Sequence, residues 1–156
     1  ENPTASNLLF MHVPIPEYDD YYNEYAAGNA DYILTSGAKS ENDAKAVAKS
    51  VICSSLLKAA MFGADANWGR VLCAVGYSKA EVDVNKIDVA FASKAGTVEV
   101  CKNGAGIEFS EEKAKTVLSE KEIEILISLN DGNGDATAWG CDLTYDYVKI
   151  NADYRS

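Results

Sequence analysis

The sequence predicts an α+β domain in which a mixed sheet of about six or seven short strands carries three or four helices packed on it. Two observations carry that prediction. Alternating apolar runs recur at Val84–Ala92, Thr97–Cys101 and Glu122–Leu129, the period of strands, while stripes of helical period follow hydroxyl caps at Ser40 and Ser110. Strands and helices also come in mixed order, with no internal repeat and no strict β-α alternation of the kind a doubly wound sheet requires. At 156 residues and 47% hydrophobic content the chain has enough apolar material for one domain with a sizeable core.

Residues 1–30 stand apart, holding all three prolines (Pro3, Pro14, Pro16) and the tyrosines Tyr18, Tyr21, Tyr22 and Tyr25. Leu8–Val13 is expected to be a strand ended by Pro14. Pro16–Ala27 is expected to be an acidic helix stopped at Gly28-Asn29, its tyrosines forming a packing face. A short strand follows at Tyr32–Thr35, and Ser36-Gly37 turns the chain. Ser40 then caps a helix over residues 41–54, with Ala44, Val47, Ala48, Val51 and Ile52 as its buried stripe. Leu56–Phe62 fits either a strand or a helix. The loop Gly63–Arg70 leads into a helix over Trp68–Val75, capped by Asp65 or Asn67 and ended by Gly76.

Past that helix, Asn103-Gly104 supplies a hairpin turn, with Ile107–Phe109 as the return strand. Ser110 caps a helix that has Glu111 and Glu112 in its first turn and Ala114, Val117 and Leu118 on its buried face. A loop, Asn130–Ala136, joins the strand Glu122–Leu129 to a closing strand in which Leu143, Tyr145 and Tyr147 alternate with Thr144, Asp146 and Val148. The tail Asn151–Ser156 is then held against the body, where its side chains can serve a site.

The formal charge of −10, from 24 acids against 14 bases, argues against nucleic acid or an anionic membrane as the main partner. Cys53, Cys73, Cys101 and Cys141 form no Cys-x-x-Cys pair, and His12 is the one histidine, so no metal site is expected. The apolar neighbours of Cys53, Cys73 and Cys101 predict buried, reduced thiols. No apolar run approaches a membrane span and the opening residues lack a signal-peptide plan, so a cytoplasmic address is expected.

Asp131-Gly-Asn-Gly-Asp135, with Asp142 further on, mimics a calcium loop in its alternating oxygens, but Ala136 stands where the sharp turn wants glycine; it reads as a polar connection. The glycine pairs Gly104/Gly106 and Gly132/Gly134 do not lead from a strand into a helix as a phosphate cradle must, and read as turns. Ser54, Ser55 and Thr144 have no histidine nearby in sequence, which argues against a Ser-His-Asp hydrolase. Arg70 reads first as a salt-bridging residue that pins its loop, and second as a carboxylate-binding guanidinium at a helix start.

Three stretches carry a resemblance: Gly63-Ala-Asp-Ala-Asn-Trp-Gly-Arg-Val-Leu72, the helix opening Ser36-Gly-Ala-Lys-Ser-Glu-Asn-Asp-Ala44, and the run from Ala136 to Ser156. Together they closely resemble the C-terminal part, or β-chain, of the glutamate N-acetyltransferases, also called ornithine acetyltransferases. The likeness covers residues 36–156, leaving residues 1–35 as an atypical N-terminal segment. The resemblance implies acetyl exchange between N-acetylornithine and glutamate in arginine biosynthesis, with no cofactor. In the family the nucleophile is an N-terminal threonine exposed when the precursor cuts itself into two chains. It further implies a partner chain from the same precursor, a homo-oligomer, and a substrate held partly by Asn151 and Ser156, where the family usually ends in threonine.

Other features of the family pattern do not occur here. The upstream half with its oxyanion-stabilising threonines and lysine is not in this sequence, and Ala26-Ala-Gly-Asn-Ala-Asp31 replaces the family's Gly-Glu-Gly turn. Ala5–Met11 echoes the family's cleavage point and would set Ser6 at the nucleophile, although so short a likeness reads as a chance match in a strand. No catalytic residue is therefore assigned, and the chain alone is expected to be inactive. The alternative is a non-catalytic module, truncated or rebuilt at its N-terminus, that folds or self-associates through the same surface.

Overall fold

The computed structural model describes residues 30–153. Leu8–Val13, Pro16–Ala27, Ser6, His12 and Ser156 lie outside the described residues. In chain order the elements are β1 (Ala30–Ala38), α1 (Glu41–Ile52), α2 (Ser55–Phe62), α3 (Trp68–Gly76), β2 (Asp88–Ser93), β3 (Gly96–Lys102), β4 (Ala105–Gly106), α4 (Glu111–Leu118), β5 (Glu122–Ser128), β6 (Gly134–Cys141) and α5 (Tyr145–Asp153). The α+β expectation holds.

Local chemistry explains the helices. The Ser40 hydroxyl accepts from the Asp43 amide at 3.1 Å, Glu41 and Asp43 sit at the positive end of α1, and Lys49 sits at the other. The expected stripe of α1 is buried throughout. Ser54 accepts from Leu57 N at 3.4 Å, which turns the ambiguous run 56–62 into α2. Ser110 caps α4 in the same way, from Lys113 N at 3.2 Å.

The strands form a mixed sheet ordered β4-β3-β2-β5-β1-β6. β1 runs parallel to β5 and antiparallel to β6. Helix α1 packs on β1 and β6 and α4 on β2 and β3, so the core lies between helices and sheet. Ile33, Val89, Phe91, Val98, Ile125, Ile127 and Ala138 fill it. Alternate positions in register across the other face, Trp139, Tyr32 and Glu124 in one row and Thr137, Leu34, Leu126 and Ala90 in the next, are half-buried or exposed. Asn103 and Gly104, with φ of 50° and 73°, make the expected hairpin turn.

Several expectations are corrected. The run from Leu143 is the helix α5, and the last strand is β6, upstream of it. Thr144 Oγ1 accepts from Tyr147 N at 3.0 Å, and the same side chains that alternate as a strand also recur at three and four residues (Tyr145/Val148, Tyr147/Ile150). The strand expected from Val84 opens instead with a 3-10 turn, Val84–Lys86, capped by Asp83. Ile107–Phe109 is not a return strand: Ile107 N still reaches Val100 O at 3.2 Å, but the chain then leaves the sheet to cap α4. The loop at 130–136 is shorter than expected because β6 starts at Gly134. Cys53 and Cys73 are exposed, against expectation. Cys53 is the C-cap of α1, and Cys73 points away from the buried Val71, Ala74 and Val75 face of α3, so apolar neighbours in sequence are not neighbours in space. Cys101 is buried, and burial pushes its thiol pKa up.

Candidate functional site at the terminal helix

Helix α5 is tied to the body at its start. Leu143 N donates to Lys58 O at 3.2 Å, and the Tyr145 ring meets Phe62 of α2 edge to face, with centroids 5.1 Å apart and planes at 84°. None of the residues of α5 is buried. Asn151 lies exposed on its last turn, where its Nδ2 donates to Tyr147 O at 2.8 Å. Of the two residues the sequence assigns to substrate, Asn151 is thus accessible, and Ser156 lies outside the described residues.

Close to Asp142, which lies between β6 and α5, sits a group that sequence reasoning missed. Asp31, in β1, is 1% exposed, on the same face as the core residue Ile33. Its Oδ1 has no hydrogen-bond partner among the described residues. Burial first, then the charge of buried Asp142, pushes its pKa up to about 7, while the Lys58 ammonium pulls the other way. The available signal was an acid at a position where the strand's period wants an apolar residue.

The other sequence motifs are spent on the fold. Asn67 caps α3 through Arg70 N at 3.1 Å and donates to Asp65 Oδ2 at 3.0 Å. Arg70 donates to the Leu56 carbonyl at 2.7 Å, so it pins the loop through a backbone carbonyl in place of the expected salt bridge. Trp68 lies over β4, where a Cβ on Gly106 would stand 2.4 Å from its ring. In the calcium-like loop, Asp131 pairs with Lys86 and with Lys39 (3.6 Å), whose cations hold its carboxyl below the usual range, and Asp135 accepts from Gly37 N at 3.2 Å. Gly132 and Gly134 let that loop press on the β1–α1 turn, since a Cβ would meet Ala38 O at 2.3 Å and Ser40 O at 2.4 Å. Among the described residues no group of three or more His, Cys, Asp or Glu is placed to hold a metal ion. Ser54 and Thr144 spend their hydroxyls on caps. A cavity of about 360 Å³ on the open sheet face, lined by Leu34, Ser36, Asp88, Ala90, Leu126 and Ser128 among others, does not include Asn151.

No helix among the described residues is long and apolar enough to cross a membrane. A family model described as the ArgJ family matches residues 26–156. The arginine biosynthesis bifunctional protein ArgJ 1 of Clostridium acetobutylicum is 58% identical over 120 residues, which cover 77% of this chain and 29% of that protein. The glutamate N-acetyltransferase of Methanopyrus kandleri is 46% identical over 124 residues, covering 80% of this chain and 32% of that protein. The crystal structure of the arginine biosynthesis bifunctional protein argJ from Bacillus halodurans matches with a TM-score of 0.74 and 37% identity, over 90% of this chain and 74% of the solved chain. The chain thus spans roughly a third or less of the length of these two curated relatives (29% and 32%).

Proposed function

The chain belongs to the ArgJ family, and from that premise we propose that it is the C-terminal portion of an acetyltransferase that moves acetyl between N-acetylornithine and glutamate in arginine biosynthesis. The observation that carries this reading is the 58% identity to an ArgJ protein confined to 29% of that relative's length. On this reading residues 36–156 form the β-chain-like domain, and the threonine nucleophile and oxyanion-stabilising groups lie on a partner chain from the same precursor, in a cytoplasmic homo-oligomer. The nucleophile takes acetyl from N-acetylornithine, releasing ornithine, and passes it to the amine of glutamate, releasing N-acetylglutamate and regenerating the free hydroxyl. Asn151 binds the amino-acid end of the substrate through its side-chain amide, whose oxygen can accept from an ammonium, and Ser156 contributes a hydroxyl to the same end.

The experiment is a calorimetric titration of the chain, assembled with the upstream portion of the Clostridium acetobutylicum relative, with ornithine and N-acetylglutamate. Asn151→Ala is expected to weaken binding at least tenfold; equal affinity in the two proteins contradicts the site. A second reading, a non-catalytic module that self-associates, is favoured by the family match beginning only at residue 26. It expects a stable self-assembled species and no acetyl exchange in any combination of chains.

A further inference from the structure

Two buried acids meet where the terminal helix leaves the sheet. Asp31 pairs in register with Gly140, which has no side chain to fill the space beside it, and Asp142 follows two residues later, one past the end of β6 and on the same face by the strand's period. Diagonal neighbours of this kind stand about 7–8 Å apart, close enough for their charges to interact. Asp31 is 1% exposed and Asp142 4%. Asp31 Oδ1 has no hydrogen-bond partner among the described residues. The other elements around Asp31 supply one balancing charge. β5 offers Ile123 in register, α1 lays Ile52 against Gly140 with the exposed Cys53 thiol after it, and α2 brings the Lys58 ammonium.

The two sides of this contact are unequally held. β1 is paired on both edges, to β5 and to β6, so Asp31 cannot move without loss of sheet pairing. Asp142 leads straight into α5, which has no buried residue and is tied at its start by Leu143 N to Lys58 O and by the Tyr145 ring against Phe62. Repulsion between two carboxylates is therefore relieved on the α5 side. We propose that Asp31 is a positioning residue for α5: as the neutral acid it lets Asp142 and the start of the helix seat on α2, and as the carboxylate it drives them off. This does not rest on the acetyltransferase reading, and it makes the placement of α5, with Asn151 on it, depend on pH in the chain alone.

Burial first, and the Asp142 charge second, raise the Asp31 pKa from 3.8 to about 7 in the seated state. The preference for the seated helix is thus fully present below about pH 3.8 and declines until pH passes about 7. For an unseated Asp31 in the ordinary carboxylate range, proton linkage makes that decline about tenfold between pH 6 and pH 8.

The test is millisecond hydrogen-exchange labelling of the full chain at pH 6 and pH 8, each rate taken relative to the unstructured peptide at the same pH, on wild type, Asp31→Asn and Asp142→Asn. In wild type the protection of amides Val148–Asp153 is expected to fall about tenfold from pH 6 to pH 8. In Asp31→Asn, which keeps the shape without the titration, it is expected to stay level. Asp142→Asn, which removes the facing charge, is expected to shrink the fall, and carries the test alone where Asp31→Asn does not fold. Protection of α5 that is level in wild type, or a fall of wild-type size in either variant, overturns the proposal. So does protection of α5 equal to that of β5, since the helix would then open only with the whole domain.

Discussion

The body of the domain, from β1 to β6, and the helix that follows it are built on opposite terms. In the body nearly every motif is consumed internally: Ser40, Ser54 and Ser110 as caps, Asn67 and Arg70 on their own loop, Asp131 between two lysines, and Phe91 and Val98 in a core with almost no solvent access. In α5 no side chain is buried, and Tyr145, Val148 and Asn151 are exposed. The contrast separates a segment whose side chains are spent on folding from one whose side chains stay accessible. Substitutions in the body are expected to act on folding, and substitutions in α5 on what the folded chain binds.

The largest effect expected lies in the body. Phe91, 0% exposed at the centre of the sheet, should lose about 3–5 kcal/mol on replacement by alanine, read by urea denaturation. A loss under about 1 kcal/mol would mean that the core is elsewhere. Next in size is Gly106→Val, whose Cβ has no room beside Trp68; about 1–3 kcal/mol is expected, and Trp68→Leu in the same chain should recover part of it.

Asp31 sharpens the comparison at the boundary. Its pKa rises from 3.8 unfolded to about 7 folded, so the native state favours the protonated acid. That contribution is fully present below about pH 3.8, declines as pH rises toward 7, and is lost above it. Asp31→Asn removes the titration and should flatten this part of the stability profile, lifting the thermal midpoint at pH 8 relative to pH 5 compared with wild type. Parallel profiles for the two proteins would show that Asp31 does not titrate in this range. The smallest effect on stability belongs to Asn151→Ala, expected to shift unfolding by less than about 0.5 kcal/mol because its side chain is exposed and bonds only one carbonyl of its own helix.

The two regions were also unequally legible. Helix α1 could be read because its cap and stripe agree with each other and with nothing else. β5 could be read because Ile123, Ile125 and Ile127 alternate with polar residues through most of its length. α5 was misread because a short run with Leu143, Tyr145, Val148 and Ile150 satisfies both periods, and its decisive feature, the Thr144 cap, carries little weight in a run already read as a strand. Asp31 carried a signal in its place in the strand's period, but its environment could not be read. Its environment is made by Asp142 and Lys58, residues distant in sequence that only the β1–β6 pairing and α2 bring to it. Of the proposed site, Asn151 was found through resemblance and not through pattern, since an asparagine on an exposed turn has no periodic signature.

The most direct measurement of the division between body and terminal helix is amide hydrogen exchange on the chain alone and in complex with the upstream portion of a relative. Amides of Val148–Asp153 are expected to exchange far faster than those of α1 and β5 in the lone chain, and to become protected in the complex. Protection of α5 equal to that of α1 in the lone chain, unchanged by the partner, would contradict the account.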